Sequence, residues 1–77
     1  MLVEVYSRNG CGTCLKAKNW LLSNKVPYTE YLVGEDITVE ETKEMFPGVN
    51  TLPIVKVDGV FVGGYTQLIQ SLRGRLL

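Results

Sequence analysis

The order of hydrophobic and polar residues along the chain predicts four strands and three helices. Short runs of apolar and β-branched residues are typical of strands, and apolar positions that recur every three or four residues are typical of amphipathic helices. Strands are expected at residues 2–6, 28–33, 53–57 and 60–62. Helices are expected at residues 13–24, 38–46 and 66–74. The predicted order is therefore β-α-β-α-β-β-α.

Local signals mark the ends of these elements. Pro27 follows the first helix, which a proline cannot continue. Thr38 and Glu41 have the Thr-x-x-Glu spacing of a capping box, which indicates the start of the second helix. Asp58-Gly59 supplies the positive φ angles of a two-residue hairpin turn. The first strand, helix and strand should form a right-handed parallel unit, and the hairpin should add antiparallel strands to the same sheet.

One face of the first predicted helix should pack against the sheet. At ~100° per residue its apolar residues share one arc, and Lys18 falls inside that arc. We expect the Lys18 side chain to lie along apolar surface and to hold its ammonium group in water. The residues of the arc are Cys14, Leu15, Ala17, Leu21 and Leu22, with Trp20 at its margin.

Composition then narrows the classes of function. The 77 residues, 45% of them hydrophobic, are expected to form a single domain that spans residues 1–77. Eight basic residues balance eight acidic ones, which argues against binding to nucleic acid or to an anionic membrane. No apolar run approaches the ~20 residues of a transmembrane helix. The N-terminal residues lack the pattern of a signal peptide, so a cytoplasmic location is expected.

The chemistry of the chain is concentrated in Cys11 and Cys14, which are its only cysteines. A disulfide between them would close a very short loop and stabilise the fold by about 2 kcal/mol at most. A structural zinc ion needs four ligands, and the chain has no histidine and no second cysteine pair. A buried, inert pair of thiols stays open as an alternative. Redox exchange fits the spacing best, because it needs an attacking thiolate and a second thiol nearby.

The position of the pair assigns a role to each cysteine. Cys11 lies just before the first helix, where unpaired N–H groups and the helix dipole favour the thiolate. Arg8, Lys16 and Lys18 add positive charge nearby. Cys14 lies one turn into the helix and should be more buried. We therefore expect Cys11 to be the nucleophile and Cys14 the resolving thiol.

Two further segments carry weaker signals. Thr51-Leu52-Pro53 precedes a strand. A proline at the start of a strand needs no functional explanation, because it has no N–H to donate to the sheet and is common at sheet edges. The frequency of X-Pro isomers alone favours a trans bond there. Gly63-Gly64 precedes the last helix, whose N-terminus either binds a carboxylate or simply follows a strand-to-helix turn.

Taken together, these residues resemble the glutaredoxins, a family of the thioredoxin-fold superfamily. The resemblance runs from about residue 3 to residue 72 and rests on "CGTC" (11–14), "TLP" (51–53), "DG" (58–59) and "GGYTQL" (63–68). It implies a three-layer α/β/α fold with a four-stranded mixed sheet and three helices. It also implies the reduction of protein disulfides and glutathione mixed disulfides, with glutathione as electron donor and no bound cofactor.

The resemblance implies roles for particular residues. By motif position Cys11 and Cys14 are catalytic, and the Leu52-Pro53 bond is cis, which replaces the trans expectation. The resemblance also implies that eight residues bind glutathione. These are Arg8, Thr13, Thr51, Leu52, Pro53, Gly64, Tyr65 and Thr66. The family resemblance further implies a monomer, and by analogy it suggests ribonucleotide reductase as a client.

Two departures from the family pattern keep alternatives open. Gly12 and Thr13 replace the usual Pro-Tyr, and small residues there are associated in the family with a [2Fe–2S] cluster held between two subunits. Thr66 stands where the family often has an aspartate that pairs with the glutathione amine. The alternatives are a glutathione-ligated iron–sulfur carrier and a glutaredoxin-like redoxin that thioredoxin reductase reduces.

Overall fold

The computed structural model describes residues 1–75, and the seven predicted elements follow one another there in the predicted order. Each observed boundary lies within one residue of its expected position. The capping box at Thr38 and the positive φ angles at Asp58 and Gly59 are both present. The elements are β1 (Val3–Ser7), α1 (Gly12–Ser23), β2 (Thr29–Leu32), α2 (Val39–Met45), β3 (Ile54–Val57), β4 (Val60–Gly63) and α3 (Tyr65–Arg73).

The strands form one mixed sheet in the order β2-β1-β3-β4. β1 pairs in parallel with β2, as expected of a β-α-β unit, and antiparallel with β3. β3 and β4 form the antiparallel hairpin. β1 is therefore a central strand, and four of its five residues are buried. Its carboxyl end leads directly into the loop that carries the cysteines.

Helices cover both faces of the sheet and complete the three-layer α/β/α arrangement. On one face α1 and α3 pack side by side over β1 and β3, through Ala17, Leu21, Leu68 and Leu72. On the other face a smaller cluster forms at the end of α2. It consists of Tyr6, Phe46 and Ile54. The predicted fold class, the thioredoxin-like fold of the glutaredoxin type, is confirmed.

The expected apolar arc of α1 is too wide. Leu15 and Leu22 are 56% and 64% exposed, whereas Cys14, Ala17 and Leu21 are buried. At ~100° per residue these buried residues occupy a stripe about 60° wide, which is the part of this helix that the sheet covers. The two exposed leucines lie on the flank of that stripe. Within residues 1–75, every helix is too short or too polar to span a bilayer.

Candidate functional site

The cysteine pair lies where the loop after β1 enters α1. Cys11 is the N-cap residue of α1, and its Sγ accepts a hydrogen bond from the Cys14 backbone N–H at 3.2 Å. The two sulfurs form a disulfide. Cys11 is partly exposed, whereas Cys14 is only 1% exposed because it faces the sheet. A reagent from solvent therefore meets Cys11 first.

The charges around the pair differ from the sequence expectation in one respect. Lys18 does not hold a free ammonium group in water, because its Nζ lies 2.6 Å from Oε2 of Glu30 on β2. Its positive charge is thus largely offset. The first turn of α1 contains no acidic residue, so the backbone N–H groups at that helix end act on Cys11 without an opposing carboxylate.

A network of hydrogen-bonded polar side chains joins β1, β2 and α1 behind the loop that leads to Cys11. The hydroxyl of Ser7, which is fully buried, donates a hydrogen bond to the same Glu30 oxygen that accepts from Lys18. The Lys18 ammonium and then the Ser7 hydroxyl hold the pKa of the Glu30 carboxyl below its usual range. Glu30 is therefore ionised near neutral pH, and this polar network ties the middle of α1 to the sheet.

The loop before β3 reaches the cysteines from the other side. The Leu52-Pro53 bond is cis, as the family resemblance implies and against the expectation from isomer frequency. The Leu52 carbonyl oxygen lies 3.8 Å from Cys11 Sγ. Pro53 is buried, so the fold holds this loop against the loop that leads to Cys11.

A cleft of about 660 Å³ opens beside Cys11, between α2 and the end of the sheet. Its walls include Val39, Thr42 and Lys43 of α2, and Arg8 lies on the side of the cysteine loop. Two cations thus flank a cleft whose remaining surface is mostly apolar. This first cleft suits a small ligand that carries a carboxylate close to a sulfur atom.

A second cleft of about 350 Å³ continues from the first toward the start of α3. Val49 and Thr51 line both clefts, so the two are contiguous. Gly64 forms part of the second wall, and a Cβ at this position would lie 3.4 Å from the Pro53 carbonyl oxygen. The chain therefore brings the loop before β3 and the N-terminus of α3 together within the same groove.

The structure gathers most of the expected site residues, but not all. Arg8, Cys11, Thr51 and Leu52 line the first cleft, and Thr51, Pro53 and Gly64 line the second. The remaining three expected binding residues line neither cleft. Thr13 and Thr66 are exposed on their helices, and Tyr65 packs against the core.

Lys43 and Gln67 are among the groove residues that sequence reasoning missed. Lys43 lines the first cleft, and Gln67 lines the second. The spacing of Val39, Thr42 and Lys43 was a usable signal for the first, since residues three and four apart share one helix face. Gln67 lies at the third position of α3, where a side chain can reach back to the N-cap. That position was its only signal.

The described residues also bear on metal binding. Within residues 1–75, no group of three or more histidine, cysteine, aspartate or glutamate side chains is placed to hold a metal ion.

The fold and the site together define a class of protein. A thioredoxin-type sheet carries a disulfide at the N-terminus of the helix that follows its central strand, with one sulfur accessible and the other buried. This is the arrangement of a thiol–disulfide oxidoreductase domain. The family model for glutaredoxin matches residues 3–62, and the chain belongs to the glutaredoxin family.

Two solved structures and one curated relative illustrate the similarity. Reduced glutaredoxin of Escherichia coli is 30% identical over 99% of this chain and 98% of its own, with a TM-score of 0.79. The glutaredoxin-like NrdH-redoxin of Escherichia coli shares the fold at 24% identity, 94% and 95% coverage and a TM-score of 0.75. The global transcriptional regulator Spx 1 of Bacillus cereus is 47% identical over 45 residues. That segment is 57% of this chain but only 34% of the regulator.

Proposed function

We propose that the domain reduces protein disulfides and glutathione mixed disulfides through Cys11 and Cys14, and that glutathione re-reduces it. The observation that carries this proposal is the placement of Cys11. Its sulfur accepts a helix N–H and opens onto a cleft flanked by Arg8 and Lys43. A thiolate is stabilised where a carboxylate-bearing disulfide would bind.

The proposed reaction begins with the reduced dithiol. The Cys11 thiolate attacks one sulfur of the substrate disulfide, that S–S bond breaks, and the other sulfur leaves as a thiolate and takes up a proton. Cys14 then attacks Cys11 in the mixed disulfide, which releases the second substrate thiol and closes the Cys11–Cys14 bond. The dithiol has supplied two electrons. For a glutathione mixed disulfide, a second glutathione can resolve the bond instead.

In this proposal each part of glutathione has a partner in the groove. Arg8 and Lys43 would bind the glycyl carboxylate in the first cleft, and the backbone around Leu52 would pair with the cysteinyl residue. The γ-glutamyl end would extend past Thr51 toward Gly64. A cytoplasmic location suits this chemistry, because the glutathione pool there is reducing. Ribonucleotide reductase is a client that the resemblance suggests.

A second candidate is a redoxin that takes electrons from thioredoxin reductase and does not need glutathione. Thr66 supports it, because this residue is exposed and lines neither cleft, and a hydroxyl pairs with an amine more weakly than a carboxylate does. The fold shared with NrdH-redoxin, a protein described as having a thioredoxin-like activity profile, is compatible with this candidate.

A paired turnover assay separates the two candidates. The first reaction contains the domain together with glutathione, glutathione reductase, NADPH and a glutathione mixed disulfide. The second reaction contains the oxidised domain together with thioredoxin reductase and NADPH. We expect NADPH consumption in the first reaction and little in the second. Consumption in the second alone would contradict glutathione as the donor and support the redoxin. Arg8→Ala should raise the KM in the first reaction, because it removes one of the two cations at the cleft.

A further inference from the structure

The side chain of Gln67 occupies part of the groove that the γ-glutamyl end of glutathione would enter. Its Oε1 accepts a hydrogen bond from the Gly64 backbone N–H at 3.0 Å. Gly64 is the N-cap of α3, and the first turn of this helix contains no acidic residue. The Gly64 backbone N–H, to which a carboxylate of a ligand would bind, thus already has a hydrogen-bond partner within the chain.

The packing around Gln67 shows that this contact belongs to the local fold. The side chain folds back over Gly63, where a Cβ would lie 2.7 Å from both Cβ and Cγ of Gln67. Gly63 has a φ of +128°, a conformation that few residues other than glycine adopt. Gly63 therefore leaves the space in which Gln67 lies against the second cleft.

We infer that Gln67 is a specificity-determining residue that competes with the γ-glutamyl carboxylate of glutathione for the Gly64 N–H. This inference rests on the proposed function, since it concerns the same groove. A neutral amide satisfies the N–H without adding a charge, so a ligand must displace it before it can bind. Gln67 thereby lowers the affinity for glutathione and favours disulfides that bind mainly through the first cleft.

The size of the effect follows from the hydrogen bond that the ligand must displace. A neutral intramolecular hydrogen bond has a modest net value, and its loss corresponds to about a five-fold change in an equilibrium constant. Removing the Gln67 side-chain amide should therefore strengthen glutathione binding about five-fold. The change should appear only for ligands that carry the γ-glutamyl residue.

The experiment measures mixed-disulfide equilibria in a Cys14→Ser background, where the bond to Cys11 cannot be resolved internally. The Cys11 thiolate attacks glutathione disulfide, and a Cys11–glutathione bond forms as one glutathione thiolate leaves. Mass spectrometry gives the equilibrium constant. The reference is the disulfide of cysteinylglycine, which lacks only the γ-glutamyl residue. Each constant is divided by the constant for the same disulfide with a small free thiol, which removes the intrinsic difference between the two leaving thiols. The reported quantity is the ratio of the normalised constants, glutathione over cysteinylglycine.

Gln67→Ala should raise this ratio about five-fold. Gln70→Ala is the matched control, because Gln70 lies exposed one turn further along α3 and lines neither cleft. The control should leave the ratio unchanged. A ratio that stays constant or falls in Gln67→Ala would overturn the inference, since Gln67 would then be neutral or would itself hold the ligand.

The same data distinguish this inference from the proposed function. A ratio above one in the Cys14→Ser parent supports a groove that holds the γ-glutamyl end. A ratio of one in the parent that rises in Gln67→Ala supports the inference, and it counts against glutathione as the natural donor. A ratio of one in both variants contradicts both.

Discussion

At the scale of single residues, we propose that backbone position rather than a neighbouring base activates Cys11. The chain contains no histidine, and the Cys11 sulfur accepts a hydrogen bond from the N–H of Cys14 at 3.2 Å. Hydrogen bonds and the helix dipole favour a thiolate at such a position. In the proposed mechanism the helix N-terminus therefore stabilises the thiolate, a role that a histidine imidazole has in many other thiol enzymes.

The polar network of Ser7, Lys18 and Glu30 gives a prediction at the same scale, which concerns the pH dependence of stability. The pKa of the Glu30 carboxyl is lowered in the folded state, so its contribution to stability is fully present above the unfolded-state pKa of about 4.3. That contribution is lost as the pH falls through the lower folded-state pKa. We expect Glu30→Gln to decrease the free energy of unfolding at pH 7, and the difference from wild type to shrink in strongly acidic buffer.

Urea denaturation at both pH values measures this difference. Glu44→Gln is the matched control, because Glu44 is an exposed glutamate on α2. It should change the stability little at either pH. A Glu30→Gln deficit that is equal at both pH values would show that the carboxylate charge is not what stabilises this corner of the fold.

At the scale of elements, α2 is the part of the site that is least well anchored. It has seven residues, of which only Thr42 is buried, and a helix this short is not stable by itself. Its ends hold it in place. Thr38 caps its N-terminus, and Phe46 at its C-terminus packs edge-on against Tyr6 with 5.1 Å between ring centroids. The position of Lys43 in the first cleft depends on these two anchors.

Removing the cap tests that dependence. The Thr38 hydroxyl accepts a hydrogen bond from the Glu41 backbone N–H at 3.0 Å, and Thr38→Ala leaves that N–H without its partner. We expect a loss of about 1 kcal/mol in the free energy of unfolding, measured by urea denaturation. Thr38→Ser keeps the hydroxyl and should stay close to wild type. Equal stability of the alanine and serine variants would mean that the capping box does not hold α2.

At the scale of the whole molecule, most of the fold could be predicted because its signals are local. Periodicity, the capping box and the Asp58-Gly59 turn place all seven elements to within one residue. The clefts could not be predicted in the same way. Lys43 and Gln67 reach the groove only because the loop before β3 approaches both α2 and α3, and no local pattern encodes that approach.

Contacts between distant segments explain the other differences. Lys18 meets Glu30 across twelve residues, so its pairing was not visible in the helix alone. Leu15 and Leu22 belong to the apolar arc by periodicity, but no element within residues 1–75 covers their flank of α1. The cis Leu52-Pro53 bond was predicted only through the family resemblance, since isomer frequency favours trans.

The most direct test of the account is to trap the reaction intermediate. Reduced Cys14→Ser and Cys11→Ser variants are each mixed with a protein disulfide such as insulin, and adducts are located by mass mapping of peptides. We predict that Cys14→Ser accumulates a mixed disulfide through Cys11 and that Cys11→Ser forms essentially none, because Cys14 is buried. An adduct through Cys14 that forms as fast in Cys11→Ser would contradict the assignment of Cys11 as the nucleophile.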